Sequence, residues 1–308
     1  MNALLAPLPR ALRPSVASRL RSPFDPDDAA AYLRWREAKL RAFPSVADAI
    51  IVEVRDPLQL SEAERAALAD RIRRAGAAVY AGPANTAEYV ARRIGEQLGM
   101  RRLDRNWLAD DDGVSRLRVR PGTKAGDFIP YTNRPLSWHT DGYYNPPERR
   151  IRGLVLHCIQ DACSGGENQL LDHEIAYLRL RDADPGAVWA LMRGDAMTIP
   201  ERTDEQGVAR GAQAGPVFAV DEDGRLQMRY TARTRSIEWR NDVVTRAAAA
   251  AIEALLAGGA PELFTLHLRP GMGIVGGNIL HRRAGFDDDA RRPRLLLRAR
   301  FFDAPDLS

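Results

Sequence analysis

Residues 136–147 read Leu136-Ser137-Trp138-His139-Thr140-Asp141-Gly142-Tyr143-Tyr144-Asn145-Pro146-Pro147. The first six form a short β-type run, and Gly142 with Asn145-Pro146-Pro147 supplies the turn that ends it. Side chains alternate across a strand, so His139 and Asp141 project from the same side. An imidazole nitrogen and a carboxylate oxygen then converge above the sheet. A second histidine from a distant strand would complete a set of two His and one carboxylate. That set leaves three positions of an octahedral Fe(II) open, the arrangement used by non-haem oxygenases.

The sequence around this segment is rich in short β-type runs. From Ser115 onward they fall at 117–120, 136–141, 153–159, 169–171, 217–220, 226–230, 263–268, 274–275, 279–281 and 295–302. Turns rich in Gly, Pro and Asp separate them, as an all-β barrel or sandwich requires. Helical patches intervene at 173–181 and 243–257, the second ended by Gly258-Gly259. Upstream, Asp25-Pro26-Asp27-Asp28 opens a helix over 29–43, and 49–54 is a short β run. Ser61-Glu62-Ala63-Glu64 is a capping box for a helix that runs toward Arg74 and stops at Gly76. A strand at 77–80 and a helix over 86–98, ended by Gly99, follow. The expected fold class is therefore α+β with a mainly β core. Residues 1–24 form a loose arm and 25–308 one domain, mixed over 25–114 and β-rich over 115–308.

With 308 residues, 45% hydrophobic and 28% charged, the composition excludes wholesale disorder, collagen and a disulfide scaffold. No apolar run approaches the roughly 20 residues needed to cross a bilayer. The net charge of +4 comes from 45 basic and 41 acidic residues interspersed along the chain, which argues against a nucleic-acid-binding face. Two cysteines, Cys158 and Cys163, fit a reducing compartment, so a cytoplasmic protein is expected. The first 24 residues hold four arginines and no acid, but Pro7, Pro9, Pro14 and Pro23 interrupt any amphipathic targeting helix.

Several motifs carry no chemistry. Gly271, Gly273 and Gly276 spell GxGxxG, but Pro270 precedes them and a β-type run follows, which is no dinucleotide site. His157, Cys158, Cys163 and His173 lack zinc-ligand spacing, and adjacent His157 and Cys158 point to opposite faces of a strand. Asp110-Asp111-Asp112 and Asp287-Asp288-Asp289 lack the alternating oxygens of a calcium loop and read as solvated loops.

The segment 136–147 resembles the taurine dioxygenase family and the related γ-butyrobetaine hydroxylases, which are Fe(II)- and 2-oxoglutarate-dependent oxygenases. The resemblance continues through Leu156-His157-Cys158-Ile159 to Gly165-Gly166-Glu167-Asn168. It resumes at Gly277-Asn278-Ile279-Leu280-His281 and ends with Arg291-Arg292-Pro293-Arg294-Leu295-Leu296-Leu297-Arg298-Ala299-Arg300-Phe301-Phe302-Asp303. It implies a double-stranded β-helix, a cupin-like jelly roll with flanking helices. It also implies that His139, Asp141 and His281 ligate iron and that 2-oxoglutarate and O2 are co-substrates. The product set would be a hydroxylated small molecule, succinate and CO2. Related halogenases lack the carboxylate ligand, so Asp141 favours hydroxylation. Arg294 matches the arginine that pairs with the distal carboxylate of 2-oxoglutarate, with Arg291 and Arg292 as competitors. Arg294 alone opens an alternating strand, and a planar guanidinium suits a carboxylate. Asn168 stands where the family often has Thr or Ser touching the same carboxylate.

The last strand bears on the substrate. Leu295, Leu297, Ala299 and Phe301 share one apolar face suited to packing under helices. The other face carries Arg294, Leu296, Arg298 and Arg300. A buried Arg298 needs an anionic partner. That partner is either an internal acid or, as the resemblance implies, a substrate anion, because Arg298 matches the sulfonate-binding arginine of taurine dioxygenase. A small anionic substrate is expected, with Tyr143, Tyr144 and Asn133 shaping its pocket. The competing readings are a non-catalytic cupin-like barrel that binds a metal or ligand, a zinc hydrolase using Glu167 as base, and an oxygenase of a betaine-type substrate. The expected partner is a small molecule, with no nucleic acid or membrane and with room for a homo-oligomer.

Overall fold

The computed structural model describes residues 22–85, 87–105, 112–204, 207–233 and 237–308. The N-terminal arm up to residue 21 and Asp110-Asp111 lie outside the described residues. Three helices precede the β-rich part, each with a sequence-encoded start or stop. Helix α1 (Ala29–Ala42) is capped by Asp28, whose side chain accepts from the Ala31 amide. Helix α2 (Glu62–Ala75) has both bonds of the Ser61/Glu64 capping box and ends at Gly76 in the left-handed region. Helix α3 (Val90–Gln97) starts later than expected, after a turn.

Two sheets form the centre. The strands of the larger are β1 (Ile51–Glu53), β2 (Ala77–Ala81), β3 (Ser115–Leu117), β5 (Gly153–Gln160), β8 (Met272–Gly277) and β10 (Leu295–Phe301). Those of the smaller are β4 (Leu136–His139), β6 (Asn168–Leu171), β7 (Phe264–Leu266) and β9 (Leu280–Arg283). Their orders are β1-β2-β8-β5-β10-β3 and β7-β6-β9-β4. Every pairing is antiparallel except β1 with β2. Neighbours distant in sequence show the chain crossing repeatedly between sheets.

Side chains from both sheets share one apolar cluster, Leu154, Leu156, Ile274 and Leu296 meeting Leu170, Phe264 and Leu266. The opposite face of the larger sheet packs Leu297, Ala299 and Phe301 against Leu68 and Ile72 of α2 and Val90, Ala91 and Ile94 of α3. The two faces expected of the last strand are thus both present. Outside the smaller sheet, Trp138, Leu171 and Leu280 pack with α4 (His173–Ala183), α5 (Pro185–Leu191) and α6 (Val243–Gly258). The molecule is a mixed helix and strand structure with helices on the outer faces of its sheets.

Several local expectations need correction. The strand expected at 117–120 lies at Ser115–Leu117, and that expected at 136–141 ends at His139. Helix α5 and the hairpin Arg202–Asp204 with Gly207–Arg210 have no counterpart in the sequence reading. Phe24, at the end of the expected loose arm, is buried against Trp35 and Tyr177. Gly273 lies within strand β8, where a Cβ would strike the Leu156 carbonyl and the Tyr80 ring, so its glycine serves close strand approach. Among the described residues, no helix is long and apolar enough to cross a membrane.

Lys39 ties α1 to the start of α4. Its Nζ lies 2.6 Å from both Asp172 Oδ2 and Glu174 Oε2, and Asp172 also caps α4 by accepting from the Glu174 amide. Burial opposes the lysine charge, but the two carboxylates outweigh it and hold the pKa above its usual value. Lys39→Met would leave Asp172 buried without its cation, at a cost of about 3–5 kcal/mol. Denaturant unfolding should show that loss, and a change below about 1 kcal/mol would overturn the assignment.

Candidate metal centre and active site

Strands β4 and β9 are neighbours, and their register sets His139 directly opposite His281. The imidazole centroids are 4.2 Å apart. His139 Nδ1 lies 2.9 Å from the Ser137 carbonyl, and His281 Nδ1 lies 3.0 Å from the Ile279 carbonyl. A carbonyl only accepts, so each Nδ1 carries a proton donated there, which leaves each Nε2 as the ring atom turned toward the cluster. The same two-residue back-contact orients both rings.

Asp141 follows the end of β4, in a turn that is held rather than loose. Its amide donates to Asn278 Oδ1 at 2.7 Å, while Asn278 Nδ2 donates to the Asp141 carbonyl at 2.8 Å and the Ile151 carbonyl at 3.0 Å. Gly142 adopts φ +64°, and a Cβ there would meet Ile151, so the turn requires glycine. Asp141 Oδ1 lies 3.6 Å from His139 Nε2 and 3.2 Å from Arg298 Nη1. Its other oxygen, Oδ2, is buried without a hydrogen-bond partner.

One ligand atom from each of His139, Asp141 and His281 lies within 4.8 Å of the others. Burial disfavours the Asp141 charge, but Arg298 and the facing groups prevail and hold its pKa well below the usual carboxylate range. Burial, followed by the neighbouring His139, pushes His281 down to about 4. At neutral pH this gives one carboxylate with an orphaned oxygen beside a neutral His281 imidazole, with His139 Nε2 3.6 Å from the carboxylate. Such a donor set fits a divalent cation and suits Fe(II).

The basic residues of the last strand divide by partner. Arg294 is buried, with its side chain 4.9 Å over the Phe286 ring. Among the described residues no carboxylate forms an ion pair with its guanidinium, and burial lowers its pKa. Arg291 and Arg292 are exposed, the latter 3.8 Å from Asp161. Arg298 is buried against Asp141, with its Nε unpartnered. Arg300 is buried against Asp104, and its Nη1 donates to Tyr144 Oη at 3.1 Å. Asn168 is buried with Nδ2 unpartnered. The backbone of Gly166, two residues before it, passes close to Arg294 Nε.

Tyr143 and Tyr144 pack edge to face beside the Asp141 turn, with centroids 5.2 Å apart. Asn133 is exposed, and its backbone carbonyl accepts from the Phe286 amide. The remaining histidines are structural. His157 is buried between Tyr80 Oη and the Asn85 carbonyl, each 2.9 Å away, and His173 bonds the Leu226 carbonyl at 2.9 Å. His267 is exposed beside Asp161. Cys158 is buried and Cys163 exposed.

Two contributors escaped the sequence reading. Asn278 clamps the Asp141 turn, and its signal was its place in the Gly277–His281 block. Arg283 is buried, donates to the Thr132 carbonyl at 2.9 Å and packs on the Phe286 ring, as Arg294 does. Burial and the neighbouring Arg294 push its pKa down to about 9.

The profile of the taurine catabolism dioxygenase TauD, TfdA family matches residues 39–300. A uridine-5'-phosphate dioxygenase from a Streptomyces species is 34% identical over 206 residues, covering 64% of this chain and 71% of the relative. A protein of the same description from an Amycolatopsis species is 29% identical over 199 residues, covering 63% and 70%. Among solved structures, a taurine dioxygenase from Burkholderia xenovorans superposes with TM-score 0.55 at 18% identity, covering 85% of this chain and 88% of that one. An asparagine oxygenase in complex with Fe(II), a hydroxyasparagine and succinate gives TM-score 0.53 at 18% identity, covering 93% and 92%. The family match spans most of the sequence and includes all three residues of the His-Asp-His cluster. The chain belongs to the TauD/TfdA family and is a dioxygenase dependent on Fe(II) and 2-oxoglutarate.

Proposed function

We propose that this enzyme hydroxylates a C–H bond of a small anionic molecule, releasing succinate and CO2, within one jelly-roll catalytic domain spanning residues 25–308. His139, Asp141 and His281 would hold Fe(II), and Arg294 would pair with the distal carboxylate of 2-oxoglutarate. The observation carrying this reading is the pairing of a His-Asp-His cluster with a buried arginine whose guanidinium forms no ion pair among the described residues. Bound iron supplies the activation of O2. The protein's own residues bind, orient and exclude water.

Asn278 and the Ser137 and Ile279 carbonyls fix the ligands before any metal arrives. The orphaned Asn168 amide beside the Gly166 backbone is a second donor suited to the 2-oxoglutarate carboxylate. Arg298 neutralises Asp141 through one nitrogen and keeps further donors for an anion. Tyr144, which accepts from Arg300, and Tyr143 packed against it supply an aromatic wall. An anionic substrate suits this lining better than a cationic betaine head, since like charges repel across a partly desolvated site. The relatives named for uridine 5'-phosphate also act on an anion.

The test is stimulated succinate formation with iron, ascorbate and 2-oxoglutarate. Uridine 5'-phosphate, sulfonates and carboxylates are compared with neutral and cationic counterparts in wild type and Arg298→Leu. Anions alone should stimulate the wild type, and Arg298→Leu should lose that selectivity while retaining bound iron. A neutral or cationic compound turned over equally well by both proteins would overturn the substrate class.

A further inference from the structure

A cavity lies against the turn that carries Asp141. Its walls include Thr140, Gly142, Asn145, Arg150, Gln213 and Arg229. Asp141 also contributes to the wall, but His139 and His281 do not. Arg150 and Arg229 therefore line one small space beside the metal-ligand turn.

The acids near these two cations, Asp141 and Asp221, are both engaged by other groups. Four N–H groups of Arg229 meet the carbonyls of Gln213, Gly215, Pro216 and Met197, which leaves one on Nη1. Among the described residues, the Arg150 side chain makes no hydrogen bond or ion pair. Asp221, whose charge acts on Arg150, is taken by Arg152 and Gln227. Asp141 is taken by Arg298. Burial and Arg150 together push the Arg229 pKa down to about 10, and burial with Arg152 lowers that of Arg150. Both guanidinium groups thus stand in a field that disfavours their charge. An oxyanion would neutralise the pair and accept the idle donors, because planar guanidinium groups match its oxygens.

We propose that this cavity is a binding site for a phosphate-type oxyanion, held by Arg150 and Arg229 against the Thr140–Asn145 turn. The shared chemistry fits either free phosphate or the phosphate of a substrate, and only the second source rests on the function proposed above.

The experiment titrates the enzyme with inorganic phosphate by calorimetry, under anaerobic conditions, loaded with Fe(II) and saturated with 2-oxoglutarate so that Arg294 is occupied. Saturable binding is expected. Arg150→Gln should weaken it by about 10- to 100-fold, the range for one charge-assisted hydrogen-bonding partner. Arg150→Lys should recover part of the affinity. A thermal melt of Arg150→Gln matching wild type separates loss of the site from loss of the fold, without touching the buried Arg229. Absence of saturable binding, or an affinity in Arg150→Gln within twofold of wild type, would overturn the site. Binding lost equally in Arg298→Leu and kept in Arg150→Gln would also overturn it by locating the anion on the last strand. A competition arm then names the source. If uridine 5'-phosphate but not uridine displaces inorganic phosphate, and the displacement requires Arg150, the site holds a substrate phosphate. If inorganic phosphate binds through Arg150 and the nucleotide does not compete, the site serves a free anion.

Discussion

Alanine at His139, Asp141 or His281 is expected to abolish Fe(II) binding and succinate formation together. Three ligands leave no redundancy, and the register that sets His139 opposite His281 offers no fourth donor among the described His, Cys, Asp and Glu residues. Asp141→Ala should be the most damaging, because it also strands the buried Arg298 without its carboxylate. The measurement is anaerobic titration with Fe(II) and 2-oxoglutarate, following the weak visible band of the complex, with equilibrium dialysis for the metal alone. Cys158→Ala and Cys163→Ser should bind iron as wild type does. Burial pushes the Cys158 thiol up to about 12, which keeps it protonated and a poor ligand. Iron retained at wild-type affinity in any of the three alanine variants, or lost in either cysteine variant, would overturn the ligand set.

Arg294→Ala should raise the 2-oxoglutarate concentration needed for half-saturation by roughly 10- to 100-fold. That range corresponds to about 1.5–3 kcal/mol for a charge-assisted, bidentate contact. Arg294→Lys should recover only part of the loss, since the ammonium keeps the charge but not the fork. Arg291→Ala and Arg292→Ala should remain within about twofold, as both side chains are exposed and screened by water. Binding of 2-oxoglutarate to the Fe(II) enzyme, read spectroscopically without substrate, separates this effect from turnover. If Arg292→Ala proved the damaging change, the co-substrate would lie on the surface loop and not beneath Phe286.

The enzyme class was legible in the sequence because its chemistry is written in short, ordered blocks. Period-two alternation put Leu297, Ala299 and Phe301 opposite Arg298 and Arg300, whereas the strand ends at His139 and it is the turn held by Asn278 that brings Asp141 beside it. Caps were legible for the same local reason, since Ser61, Glu64 and Gly76 act within a few residues of themselves. The pairing of distant strands was not, because nothing in residues 280–283 alone states that β9 lies between β4 and β6. The partner of Arg298 was likewise undecided in sequence. An acid 157 positions away and a substrate anion satisfy the same alternation rule, and only the folded chain brings Asp141 within 3.2 Å.

Asn278 and Arg150 show the limit most clearly. Neither role is stated in the sequence, yet one locks the ligand turn by three hydrogen bonds and the other lines a cavity together with Arg229. Periodicity determines which face a side chain takes, because that follows from backbone geometry within a strand. What the side chain meets on that face is decided by contacts between segments far apart in the chain. Their burial, charge and spare donors exist only once the sheets have closed.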